Sequence, residues 1–331
     1  MNAFPRMHNL VRRALVCSAL LLSMGSAALA QSPYPSKPIR VVVPYPPGGA
    51  TDIMARTVAQ RLTELMGQQV VIDNKAGGNS GIGAEIVAKA PADGYTLLFT
   101  NDATFVLNPV LFSSLPYDAN KDFVPVATVA YLNLGLAVSS TLPVNSFAEL
   151  VAYTRARSGK LSYGSYGVGS QAHLMGEMYK KISGTDLVHV PYKGSAQAVA
   201  DVIGGQVLFT FPALTTVQGF LKADKVRMLA ISGDKRSPLL PDVPTFAEVG
   251  YKDMDIGAWY AFLAPAGTPR DVVNRLNTAV AKLLGNREFI AQLVSQGMMP
   301  MTLSPEQISA QIRSETARMS RIVKASGARV D

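Results

Sequence analysis

The sequence predicts an α/β protein of two lobes, each a doubly wound sheet flanked by helices. Apolar, β-branched runs alternate with amphipathic helical patterns, as they do in open parallel sheets. This alternation occurs twice along the chain, and two long apolar segments at 124–138 and 256–267 are placed to cross between the two sets. The 331 residues suffice for two domains of ordinary size, and 48% of them are hydrophobic, so a sizeable core is expected.

The first set of elements begins with a β-branched run at 39–45, which is typical of a buried parallel strand. An amphipathic helix is predicted over 51–67, where a glycine ends the pattern. A second strand follows at 68–74, and a glycine-rich loop leads into a helix at 75–90. A turn and a third strand at 91–102 complete the set.

The second set repeats this order, and the chain then ends in helical patterns. Helices are predicted over 147–159, 170–184 and 195–205, strands and loops over 160–167, 185–194, 206–212 and 226–233, and terminal helices over 268–285, 287–297 and 304–326. No linker separates the two sets, so we expect two lobes joined by short crossing segments. Trp259 lies in one of these segments, where a structural role is expected.

Residues 1–30 have the pattern of a secretory signal peptide. Arg12 and Arg13 precede an apolar run of 17 residues that closes on Ala28-Leu29-Ala30, which is an A-x-A cleavage site. We therefore expect export, cleavage after Ala30 and a periplasmic protein. The alternative is a membrane anchor, for which the run is short.

Charge and cysteine content exclude several classes of protein. The formal net charge is +8, of which three units come from arginines in the first thirty residues, so the remaining chain carries a mild +5. No basic helix or run of Lys and Arg indicates a nucleic-acid partner. Cys17 is the only cysteine and lies within the leader, so no disulfide, thiolate catalysis or cysteine metal site is expected.

Four loops carry the prediction of a ligand site, at 44–52, 75–83, 164–171 and 192–196. Each follows a predicted strand and opens a helix, at the edge where open α/β sheets bind ligands. Glycines at Gly48-Gly49 and Gly77-Gly78 let backbone N–H groups approach a ligand, and helix N-termini favour an anion. The alternative is a set of tight strand–helix connections without a ligand.

The loops favour a carboxylate over a polyphosphate. They contain neither nucleotide-binding glycine motif and no arginine. Asp52 would repel a phosphate but can accept a hydrogen bond from a ligand amine, a hydroxyl or water. Thr51 or Asp52 can equally be the N-cap of the following helix.

Catalysis and metal binding have little support. Ser170 and His173 share one helix face, but no nucleophile-elbow motif surrounds the serine. Two histidines without a matching carboxylate set are a poor metal site, and no cofactor is expected. Ser165 and Ser170 either contact ligand or cap the helix. Four aromatic residues at strand ends either line the ligand or pack between lobes: Tyr45, Tyr163, Tyr192 and Phe211.

The chain resembles a known family, the Bug-type (TctC-like) periplasmic solute-binding proteins of tripartite tricarboxylate transporters. The resemblance rests on "YPSKPIRVVVPYPPGGATD", "NKAGGNSGIGAEIVAKAPADGYTLL", "NPVLFSSLPYDANKDFVPVATV", "SYGSYGVGSQAHLMGEMY", "VPYKGSAQAVADVIGGQV" and "LPDVPTFAEVGY" followed by "WYAFLAPAGTP", in the family's order. One departure is Asn74-Lys75-Ala76, where many relatives have an Arg-Pro pair.

The resemblance implies a two-lobe periplasmic-binding-protein (Venus flytrap, type II) fold with the ligand in the cleft. Lobe 1 would comprise 31–133 and 254–331, and lobe 2 would comprise 134–253. The expected ligand is a di- or tricarboxylate, an acidic amino acid or an aromatic carboxylate. The candidate ligand-binding residues are Tyr45, Pro47, Gly48, Gly49, Thr51, Asp52, Ala76, Gly77, Gly78, Ser80, Asn101, Ser165, Gly169, Ser170, His173, Tyr192, Lys193 and Gly194.

The predicted function is therefore a monomeric, non-enzymatic solute receptor whose closed form docks on the permease subunits of a tripartite transporter. Two alternatives remain open at this point. One is a sensor module, which would bind and close in the same way but feed a signalling partner. The other is an exported hydrolase, which would need a nucleophile with a base.

Overall fold

The computed structural model describes residues 34–326. The predicted signal peptide, its cleavage site after Ala30 and Cys17 lie outside the described residues. Within them the strands are β1 (Ile39–Val43), β2 (Val70–Asn74), β3 (Thr96–Asn101), β4 (Phe123–Leu132), β5 (Gly135–Ser139), β6 (Leu161–Ser165), β7 (Leu187–Pro191), β8 (Phe209–Thr210), β9 (Val226–Ile231), β10 (Ala258–Pro265) and β11 (Met298–Pro300).

The helices alternate with these strands much as the patterns predict. They are α1 (Ala50–Met66), α2 (Gly81–Ala88), α3 (Asn108–Leu111), α4 (Phe147–Arg155), α5 (Gln171–Ser183), α6 (Ser195–Ile203), α7 (Leu214–Lys222), α8 (Arg270–Leu284), α9 (Arg287–Ser295) and α10 (Pro305–Ser326), with a π-helix at Ala103–Leu107 and a 3-10 turn at Lys252–Met254. None of the described helices is long and apolar enough to cross a membrane.

The strands form two mixed sheets, and helices flank both, which confirms the predicted two-lobe α/β fold. The first sheet has the order β11-β4-β10-β3-β1-β2 and the second the order β7-β6-β8-β5-β9. In each sheet three neighbouring strands are parallel: β3, β1 and β2 in the first, β8, β6 and β7 in the second. The carboxyl ends of these parallel strands are the edges that carry the candidate loops.

The predicted crossing segments are long strands that connect the two sheets. β4 ends at Leu132, and β5 of the second sheet begins three residues later at Gly135. The chain returns in β10, whose Ala258 pairs with Leu132, so the return strand runs antiparallel to both β4 and β3. The chain enters β10 at the same side of the first sheet at which it leaves β4. The first sheet is therefore mixed rather than wholly parallel.

The predicted lobe boundaries, 133/134 and 253/254, stay predictions. The strands of the first sheet come from 39–132 and 258–300, and those of the second from 135–231. Trp259 has the structural role expected of it: it is 1% exposed, its ring lies 4.9 Å from that of Phe105, and its Nε1 donates to Glu315 at 2.7 Å. These contacts hold α10 against β10.

Sequence patterns missed five elements: the π-helix, α3, α7, the 3-10 turn and β11. The π-helix begins two residues after β3 and α3 continues it directly, so neither is long enough to show a helical repeat. β11 has only three residues and pairs with β4 at the sheet edge. Tertiary contacts, rather than local periodicity, define the π-helix, α3 and β11. α7 is a nine-residue helix that buries Leu214 and Val217, and its pattern was overlooked.

Candidate functional site

Four loops lie at the carboxyl ends of parallel strands, as predicted. Loop A (44–49) joins β1 to α1, and loop B (75–80) joins β2 to α2. Loop C (166–170) joins β6 to α5, and loop D (192–194) joins β7 to α6. Loops A and B therefore belong to the first sheet, and loops C and D to the second.

Loop A is open to solvent from Pro46 to Gly49. Gly48 has a φ of +81°, and its N–H donates to Asp52 Oδ2 at 2.9 Å. Gly49 is the N-cap of α1, with no hydrogen bond from a side chain to the helix end. The alternative in which Thr51 or Asp52 caps α1 is therefore wrong. The first-turn N–H groups of α1 are left without a side-chain cap.

Asp52 holds loop A together. It is only 3% exposed, and its carboxylate accepts from Gly48, from Arg56 and from Asn74 Nδ2 at 2.9 Å. Burial raises the pKa of Asp52, but the hydrogen bonds from Arg56, Gly48 and Asn74 outweigh it and the net pKa is lowered. The carboxylate therefore ties loop A to β2, and Arg56 supplies a guanidinium group beside loop A, although none of the four loops contains an arginine.

Loop B curls so that four successive residues, Gly77 to Ser80, have positive φ. Such a backbone is uncommon for Asn79 and Ser80 and persists only where surrounding contacts enforce it. Asn108 Nδ2 donates to the Asn79 carbonyl at 2.7 Å and to Ser80 Oγ at 3.2 Å. The Ser80 hydroxyl points into this network, so α2, like α1, has no side-chain cap.

Thr104, in the π-helix, connects loops A and B. Its hydroxyl donates to Ser80 Oγ at 2.9 Å, lies 2.5 Å from Thr100 Oγ1 and lies 3.5 Å from the Tyr45 hydroxyl. Tyr45 also donates to Asn101 Oδ1 at 2.7 Å. Sequence reasoning included Tyr45, Ser80 and Asn101 but missed Thr104. The sequence signal that could have identified Thr104 is the group of polar residues at the end of β3 and just after it: Thr100, Asn101, Asp102 and Thr104.

Loop C is held from within its own lobe. Ser170 is the N-cap of α5, which was one of the two alternatives predicted for it. Its Oγ accepts a hydrogen bond from the His173 N–H at 3.3 Å and donates one to the Gly167 carbonyl at 2.7 Å. His173 Nδ1 accepts from the Gly169 N–H at 3.2 Å. The serine therefore bonds the histidine backbone and not its ring, which is not a nucleophile–base pair.

A second histidine lies beneath loop C. The imidazoles of His173 and His189 stack with centroids 4.1 Å apart, and His189 Nε2 lies 2.7 Å from the buried Ser165 hydroxyl. Burial lowers the pKa of both histidines, that of His189 to about 4. Both rings are therefore neutral near pH 7. Within the described residues no group of His, Cys, Asp and Glu could hold a metal ion.

Loop D contributes a helix N-terminus. The Tyr192 hydroxyl donates to Asp201 Oδ2 at 2.6 Å, and the Lys193 N–H donates to Gln197 Oε1 at 3.3 Å. Gly194 is the N-cap of α6, without a side-chain cap. Ser195 Oγ is buried and has no hydrogen-bond partner among the described residues, a polar atom that sequence reasoning did not select.

The predicted aromatic residues divide into two groups. Tyr163 and Phe211 are fully buried and belong to the core, so neither lines a cleft. Tyr45 and Tyr192 are half-buried beside their loops. Tyr166, which was not predicted, donates from loop C to Gln171 Oε1 at 3.2 Å, and burial and the nearby Tyr260 hydroxyl raise its pKa. Loop C therefore reaches residues of the first sheet.

Two mixed sheets flanked by helices and joined by paired crossing strands match the fold of solved periplasmic binding proteins. A model of the tripartite tricarboxylate transporter family receptor, TctC, matches residues 54–328. The chain therefore belongs to this family. The family comprises periplasmic solute-binding proteins of the Bug and TctC type and not enzymes, which removes the hydrolase alternative.

Individual relatives match along nearly their whole length. Protein BugT of Bordetella pertussis is 35% identical over 324 residues, which are 97% of this chain and 99% of BugT. The structure of R. palustris Rpa4515 with adipate has a TM-score of 0.83 and 38% identity, covering 90% of this chain and all of that one. MatC (Rpa3494) from Rhodopseudomonas palustris with bound malate has a TM-score of 0.78 and 29% identity, covering 88% and 100%.

Proposed function

We propose that this chain is a periplasmic receptor that binds a small organic carboxylate between its two lobes and delivers it to the permease of a tripartite transporter. One observation carries the proposal. Loops A and B expose backbone beside two helix N-termini, those of α1 and α2, and no side chain caps either one. An uncapped N-terminus offers a partial positive charge and N–H donors, which suit a carboxylate. At α2 the N–H groups of Gly81 and Ile82 already donate to the Gly78 and Gly77 carbonyls, so α1 is the main source of donors.

Within this site we propose two kinds of role. The exposed backbone of loops A and B contacts the ligand directly; the residues concerned are Pro47, Gly48, Gly49, Ala76, Gly77 and Gly78. Thr51, which is buried in the first turn of α1, contributes its backbone N–H. Asp52, Ser80, Ser165 and His173 instead hold the loops in shape, since each is buried and already hydrogen-bonded within the protein. Tyr45 and Asn101 bond one another at the floor of the cleft.

The second lobe would hold the far end of the ligand. Loop C presents Gly169 and Ser170, and loop D presents Tyr192, Lys193 and Gly194. A ligand that contacts both lobes stabilises the closed form over the open one, which shifts the population towards closure. Relatives determined with adipate and with malate support a dicarboxylate with two anionic ends.

A ligand screen tests the carboxylate. We would measure thermal shifts of residues 31–331 with C4 to C6 dicarboxylates, tricarboxylates, acidic amino acids and aromatic carboxylates. A ligand at a hundredfold excess over Kd raises stability by about 2.7 kcal/mol. The matched control for each hit is its monoamide or diamide, which removes charge at nearly constant size. A shift that is equal for diacid and diamide would contradict the proposal.

A transport assay tests delivery to a permease. Deleting the gene that encodes this protein should abolish uptake of the labelled ligand, and reintroducing the wild-type gene should restore uptake. A variant that folds but binds no ligand should fail to restore uptake. Unchanged uptake in the deletion strain, together with altered gene expression on ligand addition, would favour a sensor instead.

We also propose that the protein is a monomer, which light scattering would check. We propose that the signal peptide is cleaved after Ala30, which N-terminal sequencing would check.

A further inference from the structure

A glutamine joins the two lobes at the floor of the cleft. Gln171 is the first residue of α5, in the second lobe, and Asp102 follows β3 in the first sheet. Gln171 Nε2 donates to Asp102 Oδ1 at 3.3 Å across 69 positions of sequence. Gln171 is 3% exposed and Asp102 is 7% exposed. The first turn of α5 is buried as a whole, and a buried glutamine amide is costly unless its donor and acceptor are both hydrogen-bonded.

The other end of the same amide holds the second-lobe loop. Gln171 Oε1 accepts from the Tyr166 hydroxyl at 3.2 Å. Tyr166 belongs to loop C, whose neighbouring residues are proposed to meet the ligand. One side chain therefore connects loop C to the floor of the first lobe, with a donor and an acceptor both in use.

The first-lobe end of the bridge is equally connected. Asp102 follows Asn101, which accepts from Tyr45 of loop A. Two residues later Thr104 donates to Ser80 of loop B. Segment 101–104 is thus in contact with loops A and B directly, and with loop C through Gln171. Side chains of this one short segment therefore contact all three loops, directly or through Gln171.

The chemistry of Asp102 suits a contact that forms and breaks. Burial raises its pKa well above the usual range, the negative charge of Glu315 on α10 raises it further, and the N–H groups of Trp259 and of Asp102 itself oppose this. The tyrosine hydroxyls that interact with it are those of Tyr45, Tyr131, Tyr166 and Tyr260. The N–H that Gln171 donates also lowers the pKa of Asp102, because it stabilises the carboxylate.

We propose that Gln171 is a positioning residue that latches the lobes closed over bound ligand, through the bridge Tyr166–Gln171–Asp102. The inference rests on the proposed receptor function and adds a specific contact that sets the lifetime of the complex. The bridge forms when the lobes approach and need not touch the ligand. Its loss therefore speeds ligand release and leaves the encounter with the open form unchanged.

The direct test is stopped-flow release of the ligand that gives the largest thermal shift. Gln171→Met keeps the length of the side chain and removes both hydrogen bonds. We expect koff to rise about tenfold and kon to change less than threefold, as a net loss of one to two hydrogen bonds predicts. Gln292→Met, at an exposed position on α9, is the matched control and should leave both rates unchanged.

A double-mutant cycle separates the latch from general destabilisation. Asp102→Leu should raise koff about as much as Gln171→Met, and the double variant should be no worse than either single change. Asp102→Asn keeps an acceptor for Gln171 and should release ligand at nearly the wild-type rate. Additive effects, or an Asp102→Asn variant as fast as Asp102→Leu, would overturn the latch.

A pH profile gives a second readout that a purely structural role would not move. Gln171→Glu places a second carboxyl group against Asp102, so the two must share a proton to remain in contact. We expect its koff to be near wild type at pH 5 and to rise at least fivefold by pH 8, whereas the wild type changes less than twofold. A flat profile for this variant contradicts the proposal.

The latch and the receptor function can fail separately. If no carboxylate shifts the melting temperature, the proposed function fails, and the latch is then tested without ligand. Paired spin labels on α1 and α6 report the distance between the lobes. Gln171→Met should lower the closed fraction at least threefold relative to the wild type, and an unchanged distance distribution would overturn the latch on its own.

Discussion

The two halves of the site are built on the same plan but use their polar groups differently. In the first lobe, loops A and B leave the N-termini of α1 and α2 without side-chain caps. In the second lobe, Ser170 caps α5, and His173 and Ser165 bond to loop C or to the histidine beneath it. The first lobe therefore leaves both helices at its site loops without side-chain caps, whereas at the site loops of the second lobe α5 is capped and only α6 is uncapped. Under the proposed function, we therefore expect the first lobe to supply most of the hydrogen bonds to the anion.

The largest expected effect comes from the packing that brings loops A and B together. A Cβ on Gly83 would lie 2.7 Å from Pro44 Cβ and 3.0 Å from the Lys75 carbonyl. Gly83→Ala should therefore push the loops apart, lower stability by about 1–3 kcal/mol and weaken ligand affinity more than tenfold. Thermal unfolding and calorimetric titration measure both quantities.

Gly219→Ala is the control for this change. Gly219 also lies in a helix, α7, but a Cβ there meets no atom within 4 Å. Stability should rise by about 0.5–1 kcal/mol and affinity should stay unchanged. If Gly83→Ala binds ligand as the wild type does, loops A and B do not act together.

The next effect concerns the open donors of α1. Ala50→Pro removes one N–H at the first helical position, where proline is well tolerated, and Gly49 before it is already extended. Losing one hydrogen bond to a charged group should weaken binding by about 1.5–2 kcal/mol without lowering the melting temperature. Gly49→Ala keeps its N–H and its Cβ meets only the Pro46 carbonyl at 3.6 Å, so it should bind normally. Equal affinities for the two variants would mean that α1 does not hold the anion.

A smaller effect is expected from the link between the first-lobe loops. Thr104→Val keeps the shape and removes the hydroxyl that contacts Ser80, Thr100 and Tyr45. We expect affinity to fall about three- to tenfold, because loop B loses an internal anchor. Thr128→Val, which loses bonds to Met301 and Leu303 instead, should lower stability to a similar extent and leave affinity intact. Calorimetric titration of both variants distinguishes the two outcomes.

The smallest effect tests the second lobe. Burial lowers the pKa of both stacked histidines, that of His189 to about 4, so the unfolded chain binds more protons as pH falls. The contribution of the two neutral histidines to the free energy of unfolding is complete above about pH 6.5. It is lost as the pH falls from about 6.5 to about 4, because the unfolded chain then binds protons that the folded chain does not. After discounting for partial solvent exposure, we expect about 0.5–1 kcal/mol lost from pH 7.5 to 5.5.

His189→Gln is the matched variant for this pH dependence. It keeps a hydrogen-bonding group near Ser165 but does not titrate, so its stability should change less over the same range. Chemical unfolding at the two pH values measures the difference. Identical pH dependence in variant and wild type would show that the histidine pair does not sense acid.

Much of the fold could be predicted from local sequence patterns, and the candidate site could be predicted in part. β-branched runs and amphipathic repeats located β1, β2, β3 and most helices, because those signals are periodic and local. Gly48-Gly49 and Gly77-Gly78 marked the first-lobe loops, because three of these four residues have a positive φ that glycine adopts without strain. The functions of Asp52 and His173 were not readable, since each depends on partners that folding brings to it.

The sequence by itself determined the α/β class, the family and the four loops that form the candidate site. These follow from periodicity, glycine placement and ordered motifs, which need no knowledge of distant contacts. Only the tertiary structure decided that Ser170 caps α5, that Asp52 holds loop A, and that Thr104 and Gln171 join the loops. Hydrogen bonds act over about 3 Å in space, and sequence separation carries no information about that distance once the chain has crossed between lobes.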